Sequence, residues 1–158
     1  MGIYGTSNEL AGTPQAISTS AARKTITALN AATASLRRAR IQDILVGARE
    51  APNATDCPIM YEAVRTTTSG TSTAATPSPY DLANAASDTV GFVNATIEPT
   101  TAAVLLTMAL NQRASQRWVA APGSELYIPA TNLSGIAVRA WSPNYASAVV
   151  VTLIHEDV

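Results

Sequence analysis

The fold of this chain is decided by residues 104–157, which read VLLTMALNQRASQRWVAAPGSELYIPATNLSGIAVRAWSPNYASAVVVTLIHED. Five short apolar runs follow one another in this stretch, and residues that favour turns separate each run from the next. These separators are Asn111-Gln112, Pro122-Gly123, residues 132–135 and Pro143-Asn144. Short strands at even spacing, divided by turn signals, are typical of an antiparallel sandwich or barrel. No run has the length or the 3.6-residue period of a helix, so the stretch predicts an all-β fold.

Shorter patterns predict further strands upstream. Alternating or β-branched apolar residues mark them at residues 24–29, 58–65 and 92–98. Residues 36–46 fit both a helical period and a period of two, and the following Gly47 and the β setting favour a strand. Residues 66–78, TTTSGTSTAATPS, have no large apolar side chain and predict a long loop, with one short helical turn after it at residues 82–86. Together these patterns predict an antiparallel β-sandwich of eight or nine strands.

The first 22 residues, MGIYGTSNELAGTPQAISTSAA, are small and polar, and their glycines and proline oppose regular structure. Two interpretations are open for them. The segment is a frayed terminus, or it is an extended arm whose few large apolar residues bind another subunit and become ordered only on assembly. We divide the chain into an N-terminal arm, residues 1–22, and a β-sandwich domain, residues 23–158.

The last strand is apolar on both of its faces, with Val150 and Ile154 on one side and a set of three apolar residues on the other. Such a strand is either covered twice or lies at a subunit interface, and its pattern specifies its register only weakly. In residues 104–110, by contrast, the larger set of Val104, Leu106, Met108 and Leu110 is expected to face the core. We predict that an interface is formed by Ile3, Tyr4, Leu10, Val149, Val151 and Leu153.

Charged residues are scarce, at 13% of the chain against about 25% in a typical globular protein. A weakly charged surface suits a subunit that its neighbours cover, although a soluble monomer rich in small residues is the alternative. The net charge of −1 gives no overall electrostatic signature of nucleic-acid binding. Arg37, Arg38 and Arg40 cluster, either as a basic patch or with Arg38 and Arg40 on one solvated or interfacial face of a strand. We favour the second interpretation, since no aromatic residues alternate with them to stack on bases.

The inventory of reactive side chains predicts no enzyme and no cofactor. His155 is the sole histidine and Cys57 the sole cysteine, too few for a typical zinc site, and no Gly-x-Ser-x-Gly or phosphate-binding loop occurs. We expect His155 to be an exposed or edge-strand residue. Carboxylates could form a glycosidase pair, but carbohydrate sites are rich in aromatic residues, and these make up only 5% of the chain. No stretch approaches the roughly 20 apolar residues that span a membrane, so we expect a soluble protein.

Two segments carry a resemblance to a known class of proteins. Residues 110–130, LNQRASQRWVAAPGSELYIPA, are similar to a segment of small virion structural proteins of tailed bacteriophages. Residues 61–65, YEAVR, and 76–81, TPSPYD, look like the upstream part of the same proteins. The resemblance spans roughly residues 36–155.

This resemblance implies a β-sandwich, often jelly-roll-like, that is displayed on the outer surface of the capsid as a decoration or cement protein. It implies the major capsid protein as partner and a homo-oligomer, with a trimer as the expected form, and neither nucleic acid nor membrane as a partner. It assigns a role to no single residue. Two alternatives stay open: a tail, baseplate or head-fibre adaptor module, and a sandwich that binds host glycans.

Overall fold

The computed structural model describes residues 2–18, 22–32 and 38–158, which form two antiparallel six-stranded sheets packed as a sandwich. No helix occurs in these ranges, and so none that could cross a membrane. The predicted all-β sandwich is confirmed, but the predicted count of eight or nine strands is wrong. The strands are β1 (Ile3–Ser7), β2 (Lys24–Ala31), β3 (Ala39–Ala48), β4 (Pro58–Thr66), β5 (Thr71–Ala75), β6 (Ser78–Pro79), β7 (Thr89–Ile97), β8 (Thr101–Asn111), β9 (Ser115–Val119), β10 (Leu126–Ile128), β11 (Gly135–Trp141) and β12 (Val149–Asp157).

Each sheet mixes strands from distant parts of the chain. The first sheet has the order β10-β3-β12-β1-β6, and β9 also pairs with β3. The second sheet has the order β5-β7-β2-β11-β4-β8. The side chains between the sheets form the core, in which Ile44 and Leu153 of the first sheet and Tyr61 and Ile136 of the second are fully buried. The sequence-adjacent strands β11 and β12 therefore lie in different sheets.

The additional strands lie where the sequence has few large apolar residues. The predicted loop at residues 66–78 contains β5 and the start of β6, and residues 82–86 form turns rather than a helical turn. β5 is held by antiparallel pairing with β7, with Ala74 opposite Phe92, so its partner rather than its own pattern defines it. Residues 39–48 form a strand, as the period of two predicts, while residues 36 and 37 lie outside the described residues.

Residues 2–18 are part of the sandwich, which corrects the prediction of a separate arm over residues 1–22, of which residues 1 and 19–21 lie outside the described residues. β1 pairs antiparallel with the last strand, so that Tyr4 lies opposite His155 and Thr6 opposite Leu153. Tyr4 is 3% exposed, and Ile17 belongs to the hydrophobic core. Because β12 offers an open edge of backbone groups and an apolar inner face, it orders a segment that lacks a strong pattern of its own.

Asn8 continues this pairing past the end of β1. Its side-chain Nδ2 donates to the Val149 carbonyl at 2.9 Å, and its Oδ1 accepts the Val151 amide at 2.9 Å. Its own amide donates to the Val151 carbonyl at 3.3 Å. The carboxamide thus takes the place of a backbone pair, and it is itself only 1% exposed.

The Asn8→Ala variant is expected to lower the free energy of unfolding by about 2–4 kcal/mol, because two buried backbone groups lose their partners. Urea titration followed by circular dichroism measures this difference. Ser7→Ala is the matched control, since Ser7 lies on the opposite face of the same segment and is only partly buried. An Asn8→Ala variant as stable as the control would contradict a structural role for the carboxamide.

The faces of β8 follow the alternation of the sequence from Leu106 onward but not before it. Met108 faces the core, and Leu106 and Leu110 pack against it as predicted. Val104 does not, since it is 51% exposed. The β4–β8 register shifts between Ala63 and Val64, so that Ala63 lies opposite Leu106 and Val64 opposite Val104. Because of this β-bulge, Val104 points to the opposite face from the one that a period of two predicts.

Candidate functional site

The first sheet carries a cluster of exposed apolar side chains on the surface that points away from the core. Its members lie on the neighbouring strands β1, β12, β3 and β9 and on the residue after β6. Ile3 is 41% exposed, Leu45 37%, Tyr80 63% and Val119 56%, whereas the two β12 members are half-buried. We call this cluster the outer face, and define it by Ile3, Leu45, Tyr80, Val119, Val150 and Ile154.

Tyr80 crosses the outer face because residue 5 is glycine. Gly5 lies opposite Ile154, and a Cβ atom at position 5 would come within 3.1 Å of the Tyr80 ring. The Tyr80 amide also donates to the Ile3 carbonyl at 2.9 Å, which ties the aromatic residue to β1. A side chain at position 5 would displace the ring, so the glycine here serves close packing.

A single ion pair crosses the middle of this surface. Arg117 Nε donates to Asp43 Oδ2 at 2.7 Å, and the hydrogen bond to Asp43 raises the pKa of the Arg117 guanidinium. Asp43 is buried, while the Arg117 side chain is 64% exposed. Beside the pair, Leu45 and Val150 line a shallow groove with Thr152. The guanidinium is therefore held in position on the same surface as the apolar side chains of the outer face.

A polar network borders the outer face where the first residues of β3 lie beside the last residues of β12. Glu156 Oε2 accepts from Arg40 Nε at 2.9 Å and from Gln42 Nε2 at 2.6 Å. The hydrogen bond to Glu156 also raises the pKa of Arg40. The Arg38 guanidinium lies 4.9 Å from the centre of the Tyr127 ring. Two of the three clustered arginines are thus engaged within the chain, and Arg37 lies outside the described residues.

Four of the six predicted interface residues are buried inside the sandwich, which corrects their assignment to a surface. Val149, Val151 and Leu153 are fully buried in the core, and Tyr4 is nearly so. The reason is the register of β12, whose odd-numbered residues point inward. Ile3 and Leu10 are exposed as predicted, although Leu10 lies on a turn outside the outer face.

Sequence reasoning missed the other members of the outer face. The sequence could have shown that Val150 and Ile154 point outward. Thr152 and Glu156 lie on the same side of β12 as these two residues, and polar residues favour the solvent side. Leu45 follows from the same logic applied to β3, in which Asp43 points outward with it, whereas Arg40 joins this face only because the register shifts between Ile154 and His155. Tyr80 had no signal of this kind, because its position depends on the glycine across from it.

His155 lies inside the sandwich and not at an exposed or edge position, so the prediction for it is wrong. It is fully buried and stacks on the Tyr4 ring, with ring centres 5.4 Å apart and planes at 23°. Its Nε2 lies 2.9 Å from Thr89 Oγ1 and 3.1 Å from Ser87 Oγ. Burial lowers the pKa of His155 from 6.5 to about 4. The imidazole is therefore neutral at pH 7.

The His155 surroundings do not have the geometry of a nucleophilic triad. Asp157 Oδ1 lies 3.7 Å from Nε2, on the same side of the ring as the hydroxyls, instead of orienting the ring through Nδ1. The Asp157 carboxylate accepts from Ser87 Oγ at 3.2 Å and from the Asp88 amide at 2.8 Å. These contacts join β12 to residues 85–89, where Tyr4 also donates to the Ala85 carbonyl at 2.8 Å. The arrangement holds the segment before β7 against both chain-terminal strands.

The described ranges contain no group of three or more His, Cys, Asp or Glu side chains that could hold a metal ion. The comparisons add no relative, since no family model, curated protein or solved structure matches the chain. The outer face is accordingly the candidate functional site, as a contact surface.

Proposed function

We propose that this protein is a virion structural protein of a tailed bacteriophage, which binds the outer surface of the capsid shell through the outer face and stabilises it. The observation that carries the proposal is that the exposed Ile3 and Tyr80 lie on one side of β12 and the exposed Leu45 and Val119 on the other, with the half-buried Val150 and Ile154 of β12 between them. The similarity of residues 61–81 and 110–130 to such virion proteins supplies the class of partner, the major capsid protein. A jelly-roll-like relationship to those proteins belongs to the same proposal.

The chemistry of the outer face fits a permanent structural contact. Exposed apolar patches rimmed by polar residues are typical of protein–protein contact surfaces, and here Arg40 and Glu156 form part of the rim. Because the apolar side chains of the outer face are already about half buried, covering each of them contributes about half of the 1.5–3 kcal/mol for full burial, which is about 1 kcal/mol. Many copies binding in parallel add such contributions over a whole shell, so a small protein with a modest contact surface can reinforce it. The rigid sandwich behind the surface limits the conformational entropy lost on binding.

A pair of matched variants tests the proposal. Ile3→Lys with Val119→Lys places two charges on the outer face, and Ile97→Lys with Val104→Lys makes the same chemical changes at exposed residues of the second sheet. Cosedimentation with capsids that lack the protein measures the affinity of each. We expect the outer-face variant to bind about a hundredfold more weakly than wild type, and the control to bind like wild type.

The same particles supply the outcomes that contradict the proposal. Equal loss of binding in both double variants would remove the outer face as the contact surface. Failure of the wild-type protein to cosediment, or shells equally resistant to heat with and without it, would refute the capsid role. Cryo-electron microscopy of complete virions locates the protein directly, and density on the tail or baseplate in place of the shell would assign it to the alternative class.

A further inference from the structure

The second sheet ends in a long strand with an open edge. β8 spans eleven residues and pairs only with β4, and no described residue pairs with its other side. Its sequence, TAAVLLTMALN, has no charged residue and no proline. Its outward backbone N–H and C=O groups are therefore available to a further strand.

The other sheet edges in the described residues differ from this one. β5 and β9 have five residues each, β10 three and β6 two. Natural sheets protect their edges by keeping edge strands short or by placing charges, prolines or bulges on them. β8 is the longest strand of the protein, and its bulges affect only the part before Leu106. The remaining stretch from Leu106 to Asn111 is regular and has none of these protections.

The core is also open along this side of the sandwich. Leu106 and Leu110 pack against the core but are only partly buried. At the edge of the first sheet, Trp118 of β9 and Leu126 of β10 are partly buried in the same way. A strand added to β8 would cover this apolar margin as well as the free backbone groups.

We propose that a second copy of this chain pairs with β8 through its own β8, antiparallel about a two-fold axis at Met108, which forms one continuous twelve-stranded sheet. In this register Leu106 lies opposite Leu110 of the second copy, and Thr107 opposite Ala109 of the second copy. The proposal concerns the isolated chain and goes beyond the proposed capsid role.

A second copy fits this edge because the pattern of β8 is self-complementary in this register. The core-facing residues Leu106, Met108 and Leu110 meet one another, and the exposed residues Thr107 and Ala109 meet one another. No like charges are brought together, which is the usual obstacle to such pairing. A two-fold contact satisfies both free edges at once and closes the assembly.

Register-specific charges test the pairing. Lysine at both positions, Thr107→Lys with Ala109→Lys, places like charges opposite each other across the axis. Thr107→Lys with Ala109→Glu places opposite charges there instead. We expect sedimentation equilibrium to show a wild-type dimer, a Lys/Lys variant whose dimer dissociation constant is at least about tenfold higher, and a Lys/Glu variant that dimerises at least as well as wild type.

Controls separate loss of pairing from loss of fold. Thr71→Lys with Ala74→Lys adds the same charge to exposed residues of β5, the opposite edge of the same sheet, and should leave the dimer unchanged. Thermal melting shows whether each variant is folded, and amide hydrogen exchange in β8 of the wild type should slow as its concentration rises. A wild type that stays monomeric up to about 1 mM, a trimer, or a folded Lys/Lys variant that dimerises like wild type would each overturn the proposal.

Discussion

Deletion of residues 2–8 is expected to abolish cooperative unfolding, because this segment is a structural strand of the first sheet. The deletion removes the buried side chains of Tyr4, Thr6 and Asn8 and leaves one edge of β12 unpaired. The lost contacts are comparable with the whole stability of a small domain, about 5–15 kcal/mol. Differential scanning calorimetry of the truncated and full-length chains measures the effect directly.

Two adjacent point variants test the same strand without truncation. Tyr4→Ala removes a ring that is 3% exposed, and it should lower the free energy of unfolding by about 3–5 kcal/mol. Ile3→Ala is the matched control, since Ile3 is the preceding residue on the exposed side of β1, and it should change stability by less than about 0.5 kcal/mol. Urea titration of both variants gives the comparison.

A peptide of residues 1–8 distinguishes a structural strand from an arm that binds other subunits. Added to the truncated chain, it should restore the folded signal in circular dichroism, because β12 retains the edge that the peptide would occupy. A truncated chain that is folded and as stable as the full-length protein would contradict this role of β1. It would restore the interpretation of residues 1–22 as an arm.

The sequence predicted strands wherever a residue pattern was strong. The runs that became β8, β11 and β12 were each recognised, and their arrangement in an all-β sandwich followed from spacing and turns. β1 and β5 were missed because their small and polar residues carry no alternation. Strands of this kind form where a neighbouring strand offers backbone partners, and that neighbour is distant in the sequence.

The candidate site was predictable only in part, since it depends on which face of a strand points outward. β12 is apolar on both sides, so alternation alone could not decide between Val151 and Val150. The neighbouring strands β3 and β1 determine which side of β12 is buried. All three strands share one buried surface and one exposed surface. The outer face is a property of neighbouring strands, and single-strand patterns predict it weakly.

Acid is expected to destabilise this protein through His155 at a pH where most proteins are still folded. The pKa of His155 is lowered from 6.5 to about 4, with burial as the cause. Between these two pH values the unfolded chain binds a proton that the folded chain does not, so the free energy of unfolding falls as the pH falls. Since one pKa unit corresponds to about 1.4 kcal/mol, the loss between pH 7 and pH 4 is about 3 kcal/mol.

Replacement of His155 by glutamine should reduce this fall in the free energy of unfolding, because the glutamine amide does not titrate and can still form a hydrogen bond with Thr89. Urea titrations at several pH values compare the two proteins, and the His155→Gln variant should lose about 3 kcal/mol less than wild type between pH 7 and pH 4.

The groups that face the imidazole are Asp157 on its own strand and Tyr4 on β1. The negative charge of the Asp157 carboxylate opposes the lowering of the His155 pKa. This carboxylate, however, already accepts hydrogen bonds from Ser87 Oγ and from the Asp88 amide. Because the sequence has one histidine, its imidazole proton resonances report the titration without ambiguity, and a measured pKa of 6 or above would contradict the lowered pKa.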